Sequence, residues 1–175
     1  MKLFSTIKVC ALAFAAVSSF VACDDDDDNN SVVKPEYVGS YEGQMTVSGE
    51  FNGRVMFSGD VTGVMQIEQL NDSLVNVTVP EITDLNAGRS IYSVKAFTID
   101  SVAVTITNEG YTFNIDQFAL EAVSCDQGDG NGFADFESKG YLKGTYKNGV
   151  VNVEYTFSLG KMPFPLKSVF EGTKK

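Results

Sequence analysis

Apolar and polar residues alternate along most of this chain, and that pattern predicts β-strands. The clearest alternation follows Asn148-Gly149 and puts apolar side chains on every second position: Val151, Val153, Tyr155, Phe157 and Leu159. A period of two turns one face of a strand toward a core and the other toward water. Asn-Gly favours a two-residue type I′ hairpin, because both central residues need positive φ. The segment from Lys139 to Leu159 is therefore predicted to be a β-hairpin.

The same alternation recurs on both sides of this hairpin and predicts more strands. They are Tyr37–Val47, Arg54 to about Leu70 with a bend near Gly59, Leu74–Val79, Ile91–Ile99, the alternating residues Val102 to Ile106, Tyr111–Ile115 and Leu166–Gly172. Asn52-Gly53, Asn71-Asp72 and Asn108-Glu109-Gly110 are predicted turns. We expect Glu81–Arg89 to be a loop and Asp126–Gly132 to be the most flexible internal stretch.

These elements predict an all-β protein. About eight strands follow one another in sequence, with no convincing amphipathic helix, so residues 36–175 are expected to form an antiparallel up-and-down barrel. Glycines that share a strand face, as Gly140 and Gly144 do, mark bends and favour the barrel. An open β-sandwich is the alternative architecture.

The N-terminal residues carry the features of a leader. A basic start precedes an apolar run from Val9 to Ala22 that is too short for a comfortable transmembrane helix, so residues 1–22 are predicted to be a signal peptide. The run ends in Phe20-Val21-Ala22-Cys23, which resembles the lipobox of bacterial lipoproteins. The resemblance implies lipidation of Cys23 and membrane attachment through that anchor. The alternative is an ordinary cleaved leader with a chance cysteine at its end.

An acidic stretch follows Cys23 and runs from Asp24 to Asp28. Residues 23–35 are therefore expected to be a lipidated cysteine and a disordered, self-repelling tether. An acidic run directly after the lipidated cysteine resembles the surface-export signal of Bacteroidetes lipoproteins. That resemblance implies an outer-membrane lipoprotein exposed at the cell surface; a periplasm-facing protein is the alternative.

The barrel segment carries a second resemblance. Its motifs are Tyr37-x-Gly39-x-Tyr41-x-Gly43, Gly140-x-x-x-Gly144, Asn148-Gly149, and Phe164-Pro165-Leu166 followed by Phe170-Glu171-Gly172-Thr173. Together they resemble the calycin-like, or lipocalin-like, β-barrel domain of Bacteroidetes lipoproteins. The resemblance implies binding of a small hydrophobic molecule inside the barrel.

An apolar stripe supplies candidate ligand contacts for such a site: Tyr41, Met45, Phe97, Phe113, Tyr155 and Phe157. Inward side chains of an eight-stranded barrel also commonly fill its interior. If the interior is filled, the protein would instead bind a protein or a glycan through the rim loops Gly49–Gly59 and Glu81–Arg89. The sequence leaves the ligand's identity and the oligomeric state open.

Composition excludes several other classes of function. The chain has no His, which removes Ser-His-Asp and Cys-His catalysis and His-based metal sites. A net charge of −10 with only two arginines argues against nucleic-acid binding. No phosphate-cradling loop or cofactor motif is present, so no cofactor is predicted.

The remaining polar candidates have simpler interpretations. Asp126–Gly132 lacks the spacing of a calcium loop, so no metal site is predicted. Cys125 has no His to activate it and is expected to be a small residue at a strand end. Glu42 and Glu154 fall on predicted polar faces, where solvated carboxylates normally lie. We therefore expect the protein not to be an enzyme, with a carboxylate-based hydrolase as the residual alternative.

Overall fold

The computed structural model describes residues 34–88, 90–159 and 162–175. The predicted signal peptide, Cys23 and the tether up to Val33 lie outside these residues. No helix long and apolar enough to cross a membrane occurs in the described part. The strands are β1 Gly39–Phe51, β2 Arg54–Gln69, β3 Leu74–Val79, β4 Ile82–Asn86, β5 Ile91–Val94, β6 Phe97–Thr107, β7 Gly110–Asp126, β8 Phe133–Lys147, β9 Val150–Phe157 and β10 Leu166–Lys174.

Eight of these strands close into an antiparallel barrel. Their order around the barrel is β1, β2, β3, β6, β7, β8, β9 and β10, and β10 pairs with β1. Pairing of β7 with β8 completes the ring, so each of the eight strands has a hydrogen-bonded neighbour on both sides. The predicted up-and-down barrel is confirmed. The alternative open β-sandwich is wrong, because this ring is closed.

The hairpin of β4 and β5 is additional to the barrel, and it corrects two local predictions. The expected loop Glu81–Arg89 is wrong over Ile82–Asn86, which forms β4. The expected strand Ile91–Ile99 is instead two strands, interrupted between Val94 and Phe97, and the second of them, β6, continues to Thr107. The alternation from Val102 to Ile106 thus belongs to β6 rather than to a separate strand.

Few backbone pairs hold the β4–β5 hairpin on the barrel. Strand β5 pairs with the end of β7 at two positions, Ser93 with Asp126 and Val94 with Cys125. The hairpin also buries Ile82 and Leu85. The register of β4 shifts between these two residues, and Asp84 between them has a positive φ of 52°. This irregular residue places two apolar side chains three positions apart on the same buried face.

The two Asn-Gly hairpin turns form as predicted. Asn52 and Gly53 have φ values of 50° and 73°, and Asn148 and Gly149 have φ values of 51° and 81°. Positive φ at both central positions is the type I′ geometry, whose twist matches that of the flanking strands. These turns fix the registers of β1 with β2 and of β8 with β9.

Inward residues of the barrel form one continuous core. All five apolar residues of the alternating β9 segment are buried, as the alternation predicts, and β1 and β10 add inward rows to them. The largest fully buried side chains are Tyr41, Tyr155, Phe113, Phe157, Phe170, Met45 and Met65. Each such side chain removed from water contributes about 1.5–3 kcal/mol to folding.

The antiparallel order gives the barrel two distinct ends. The chain enters the barrel at Tyr37, at the end that we call the closed end. The β2–β3, β6–β7 and β8–β9 turns lie at this same end. The other end, which we call the mouth, carries the β1–β2, β4–β5, β7–β8 and β9–β10 connections. The candidate site lies at the mouth.

Candidate functional site

The six residues predicted to contact a ligand all belong to the barrel core or pack against it, and four of them contact one another: Met45, Phe97, Tyr155 and Phe157. Tyr155 and Phe157 stack with ring centroids 5.8 Å apart, and Phe97 lies 5.4 Å from Phe157 and 6.3 Å from Tyr155. Phe97 is partly buried, whereas the two β9 rings are fully buried. Edge and offset contacts of this kind stabilise a core beyond the area that they bury.

The other three predicted residues extend this packing toward the closed end. Met45 accepts a hydrogen bond from the Tyr155 hydroxyl over 2.9 Å. The Tyr41 hydroxyl donates to the Tyr37 carbonyl oxygen over 2.6 Å, and the Tyr37 ring meets Phe113 at 5.8 Å. These contacts describe side-chain packing, and ligand contact at the six residues stays a prediction.

Aromatic rings close one end of the barrel. Tyr37 is buried and lies 4.6 Å from Tyr111, Tyr111 lies 6.0 Å from Tyr146, and Tyr146 lies 6.1 Å from Tyr41. Three strands, β1, β7 and β8, and the entering chain each supply a ring to this layer. The closed end is therefore sealed by side chains.

A pocket of about 350 Å³ opens at the mouth. All four mouth connections, or the strand residues beside them, supply its walls. Its lining is Met56, Phe57, Ala87, Tyr92, Gln127, Leu159, Met162, Pro163 and Phe164. The volume lies within the range of about 300–1,000 Å³ that is common for small-molecule sites, and an apolar lining with few polar groups is typical of them.

Aromatic and sulfur-containing side chains dominate this mouth pocket. The Phe164 ring lies 6.3 Å from Phe57 and 5.9 Å from Phe51 at the tip of the β1–β2 hairpin. Gln127 is the one lining residue with an amide side chain, and Tyr92 adds a phenol. Such a site can bury an apolar group of a ligand and can form a small number of hydrogen bonds with polar atoms of the same ligand.

Large apolar side chains surround the mouth pocket on the protein surface. Val55 is 61% exposed and Met56 is 58% exposed, and Phe51 and Ile91 are about half exposed. Two of the predicted rim loops, Gly49–Gly59 and Glu81–Arg89, contribute Phe57 and Ala87 to the pocket wall. The predicted rim and the interior stripe are thus separate features of this barrel.

The interior tyrosines are held in their neutral form. Burial is the main cause that raises the pKa of Tyr155 and of Tyr41 far above 10, with Tyr146 adding to the effect at Tyr41. A phenol that stays neutral across the physiological range cannot act as a base there. Both phenols therefore stay protonated at physiological pH.

One charged network lies on the outer wall of the barrel, across β8, β9 and β10. The Tyr141 hydroxyl donates to Glu154 over 2.6 Å, and Lys167 Nζ lies 2.8 Å from the other Glu154 oxygen. The hydrogen bond from Lys167, followed by the one from Tyr141, lowers the pKa of Glu154. The Glu154 carboxylate is therefore ionised and paired, as expected of a solvated carboxylate on a polar face.

Two acidic side chains of the β7–β8 connection accept hydrogen bonds from backbone N–H groups two residues further on. Backbone N–H groups of Gly128 and Asn131 donate to the side chains of Asp126 and Asp129 over 2.8 and 3.0 Å. Across the described residues, no group of three or more acidic or cysteine side chains is close enough to share a metal ion. Burial, with a smaller effect of Asp126, raises the pKa of Cys125 to about 11, so this thiol stays protonated near neutral pH.

Sequence patterns do not identify most residues of the mouth pocket. They come from four connections and the strand residues beside them, which are far apart in sequence and meet only when the barrel closes. The segment Met162-Pro163-Phe164-Pro165 is the one local signal, because an aromatic residue between prolines is unusual in a connection. The segment bends at Pro163 and Phe164, and its first three residues line the pocket.

Comparison with known proteins identifies a solved structure with a similar fold. No model of a protein family matches this chain, and no curated protein sequence matches it. A crystal structure of a "putative outer membrane protein" from Bacteroides fragilis NCTC 9343 matches with a TM-score of 0.60 and 23% sequence identity. The match covers 79% of this chain and 51% of the other, so this chain spans about half the length of that protein. At this identity the likeness supports a shared barrel architecture.

Proposed function

We propose that this chain is an envelope protein that binds a small apolar molecule in the mouth pocket. The observation that carries the proposal is the pocket of about 350 Å³ whose walls include Phe57, Leu159 and Phe164. Burial of apolar surface in such a pocket supplies about 25 cal/mol for each Å² removed from water. This places the ligand above the interior stripe of Tyr41, Met45 and Tyr155 rather than within it.

The contrast between the two barrel ends supports this location. Tyrosine rings pack across the closed end, whereas apolar side chains such as Phe57, Leu159 and Phe164 line a concave surface at the mouth. The interior below the mouth is occupied by stacked side chains such as Tyr155 and Phe157. A ligand that enters from the mouth therefore meets the pocket before it meets the packed core.

Two observations support the envelope location. Phe20-Val21-Ala22-Cys23 resembles a lipobox, so we propose acylation at Cys23 and attachment to the outer membrane, with the barrel at the cell surface. The Bacteroides fragilis protein with a similar fold is described as a "putative outer membrane protein". Labelling of whole cells with a radioactive fatty acid tests the anchor: C23S should lose the label, and a label retained by C23S would contradict it.

Fluorescence titration with the neutral probe N-phenyl-1-naphthylamine tests ligand binding, because its emission rises in apolar surroundings. The full chain should bind one probe, and F164A should weaken binding about tenfold, equivalent to about 1.4 kcal/mol. V169A is the matched control, because Val169 is an exposed apolar residue on the outer wall, away from the mouth.

The control separates pocket binding from general stickiness. Equal weakening by V169A and F164A would mean that the probe binds exposed apolar surface without a defined site. No saturable binding by the folded chain would contradict the proposal outright. Circular dichroism of both variants establishes that each remains folded before the titrations are compared.

A second function is favoured by the exposed apolar rim. Phe51, Val55, Met56 and Ile91 could instead dock a protein or a glycan through the mouth connections. That function predicts binding to an immobilised glycan or purified surface protein that V55D abolishes while probe binding by the pocket is unchanged. Loss of probe binding in F164A with no effect of V55D on such partners would favour the small-molecule function.

A further inference from the structure

The β4–β5 hairpin, which we call the flap, continues β3 and β6 beyond an interruption that both strands share. Val79 of β3 pairs with Phe97 of β6 on the barrel side of the interruption. Ile82 of β4 pairs with Val94 of β5 on the flap side. Each strand is therefore interrupted for two residues at the same level, and these four residues form a hinge across the hairpin. They are Pro80, Glu81, Lys95 and Ala96.

The hinge separates a well-paired part of the wall from a poorly paired part. On the barrel side, β3 pairs with β2 at four positions and β6 pairs with β7 at five. On the flap side, β5 pairs with β7 at two positions. Within the described part of the chain, no strand pairs with β2 from Arg54 to Met65 on the side away from β1. The flap can thus detach without breaking the backbone pairing that closes the eight-stranded ring.

Side-chain packing holds the flap against β2. Leu85 of the flap is buried and lies over Gly59 of β2, since a Cβ placed at Gly59 would meet Leu85 Cδ1 at 2.8 Å. At the hinge, Pro80 lies over Gly63 of β2 in the same way. The two glycines leave room for the flap and its hinge to lie directly on β2. Such apolar contacts are non-directional, so they can break and re-form without a fixed register.

The flap also forms part of the wall of the mouth pocket. Ala87, which follows β4, and Tyr92 of β5 line the pocket together with Phe57 of β2 and Phe164. Movement of the flap relative to β2 therefore changes the separation of two walls of the pocket. Small-molecule sites bury most of the surface of their ligand, and a movable wall lets a ligand enter a site that then encloses it.

We propose that the flap is a gate for the mouth pocket. It swings on the hinge away from β2 and β7 to admit the ligand, and it closes again with Leu85 on Gly59. This inference rests on the proposed function, and it adds the route by which the ligand enters and leaves. Flap movement then limits the rates of binding and release, whereas the closed pocket determines the affinity.

A disulfide between the flap and β7 tests the gate. Val94 and Cys125 are paired residues of β5 and β7, and both are buried. The backbone N–H of Lys95 donates to the Ser124 carbonyl oxygen over 2.9 Å, which makes Val94–Cys125 a pair without direct hydrogen bonds. The Cα atoms of such a pair lie about 4.5 Å apart, a spacing that a disulfide can bridge. V94C should therefore form a disulfide with the native Cys125 on oxidation, in a chain that also carries C10S and C23S.

Stopped-flow fluorescence of N-phenyl-1-naphthylamine compares the oxidised and reduced forms of this variant, which differ only in the disulfide. We expect oxidation to slow both association and dissociation at least about fivefold, to leave Kd within about twofold, and to be reversed by a reductant. Unchanged rates in the oxidised form would overturn the gate, because the probe would then enter past a fixed flap.

Truncation of the contact with β2 tests the gate in the opposite direction. L85A removes the side chain that packs on Gly59, so the flap should open more often and probe dissociation should become several-fold faster. L142A is the matched control, because Leu142 is a fully buried leucine of β8, which is paired on both sides. Its dissociation rate should equal that of the wild type. A wild-type dissociation rate in L85A, shown by circular dichroism to be folded, would contradict the gate.

The two proposals fail in different ways. Absence of saturable N-phenyl-1-naphthylamine binding in the wild-type chain would contradict the proposed function itself. Saturable binding with equal rates in oxidised and reduced V94C would leave that function intact and reject only the gate.

Discussion

The hydroxyl of Tyr155 donates a hydrogen bond to the sulfur of Met45 over 2.9 Å, joining β9 to β1 across the barrel interior. Both side chains are fully buried. A thioether is a weak acceptor, so the contact contributes mainly by packing and by giving the phenol a partner. This part of the interior is packed core, and the ligand site that we propose lies at the mouth.

Truncation of the interior should therefore change stability without changing ligand affinity. M45A removes a fully buried side chain and should cost about 2–5 kcal/mol of unfolding free energy, because a cavity remains. Its affinity for N-phenyl-1-naphthylamine should stay at the wild-type value. Urea denaturation and probe titration measure the two effects. A weakened affinity in folded M45A, with stability unchanged, would place the site in the interior.

Alkaline pH should unfold the protein through its buried tyrosines. Burial raises the pKa of Tyr155 and Tyr41 in the folded state. Below about pH 10 both tyrosines are neutral in the folded and in the unfolded chain, so their contribution to stability is fully present there. Above that pH the unfolded chain ionises first, and stability falls by up to about 1.4 kcal/mol per pH unit for each such tyrosine. Ultraviolet absorbance of tyrosinate should rise together with loss of structure. Ionisation of all seven tyrosines in a chain that remains folded would contradict this account.

Two glycines should respond to alanine for different reasons. A Cβ at Gly140 would overlap the carbonyl oxygen of Thr156, so G140A forces β8 and β9 apart and should cost more than about 2 kcal/mol. A Cβ at Gly149 meets nothing within 4 Å, and G149A carries only the strain of a φ of 81°, about 1–2 kcal/mol. Thermal unfolding should rank G140A below G149A. The reverse ranking would mean that β8 and β9 are not as closely paired as the structure has them.

Breaking the outer-wall network of Tyr141, Glu154 and Lys167 should change the pKa of Tyr141 more clearly than the free energy of unfolding. The hydrogen bond to Glu154 is the main cause that raises the pKa of Tyr141, so E154Q should bring that pKa back toward 10. The lowered pKa of Glu154 stabilises the fold above the unfolded-state value near 4.3, and this stability is lost as the pH falls through the folded value. Both ends of the Lys167–Glu154 pair are more than one-third exposed, so its loss should cost less than about 1 kcal/mol. NMR titration of Tyr141 in both proteins tests the shift, and an unchanged Tyr141 pKa in E154Q would exclude the hydrogen bond as its cause.

Local patterns were sufficient to predict most of the barrel. Asn52-Gly53 and Asn148-Gly149 determine both turn type and register, and the period-two rows of β1 and β9 identify the inward residues. Strand β4 escaped prediction because Ile82 and Leu85 are three positions apart. The irregular backbone at Asp84, which brings both to one face, has no signature in the pattern of apolar residues.

The mouth pocket could not be predicted in the same way. Phe57 of β2, Tyr92 of β5 and Phe164 of the β9–β10 connection are far apart in sequence, and their proximity depends on barrel closure rather than on local sequence. Alternation identified buried aromatic residues such as Phe113 and Tyr155, but it does not distinguish a side chain that fills a core from one that lines a cavity. That distinction requires the packing of all eight barrel strands.

A crystal structure of the chain grown with N-phenyl-1-naphthylamine would test the central claim most directly. We predict density for one probe at the mouth, between Phe57 and Phe164, with the Tyr155–Met45 contact unchanged. Density inside the barrel, with Tyr155 and Phe157 displaced, or an empty mouth at saturating probe concentration, would contradict the account.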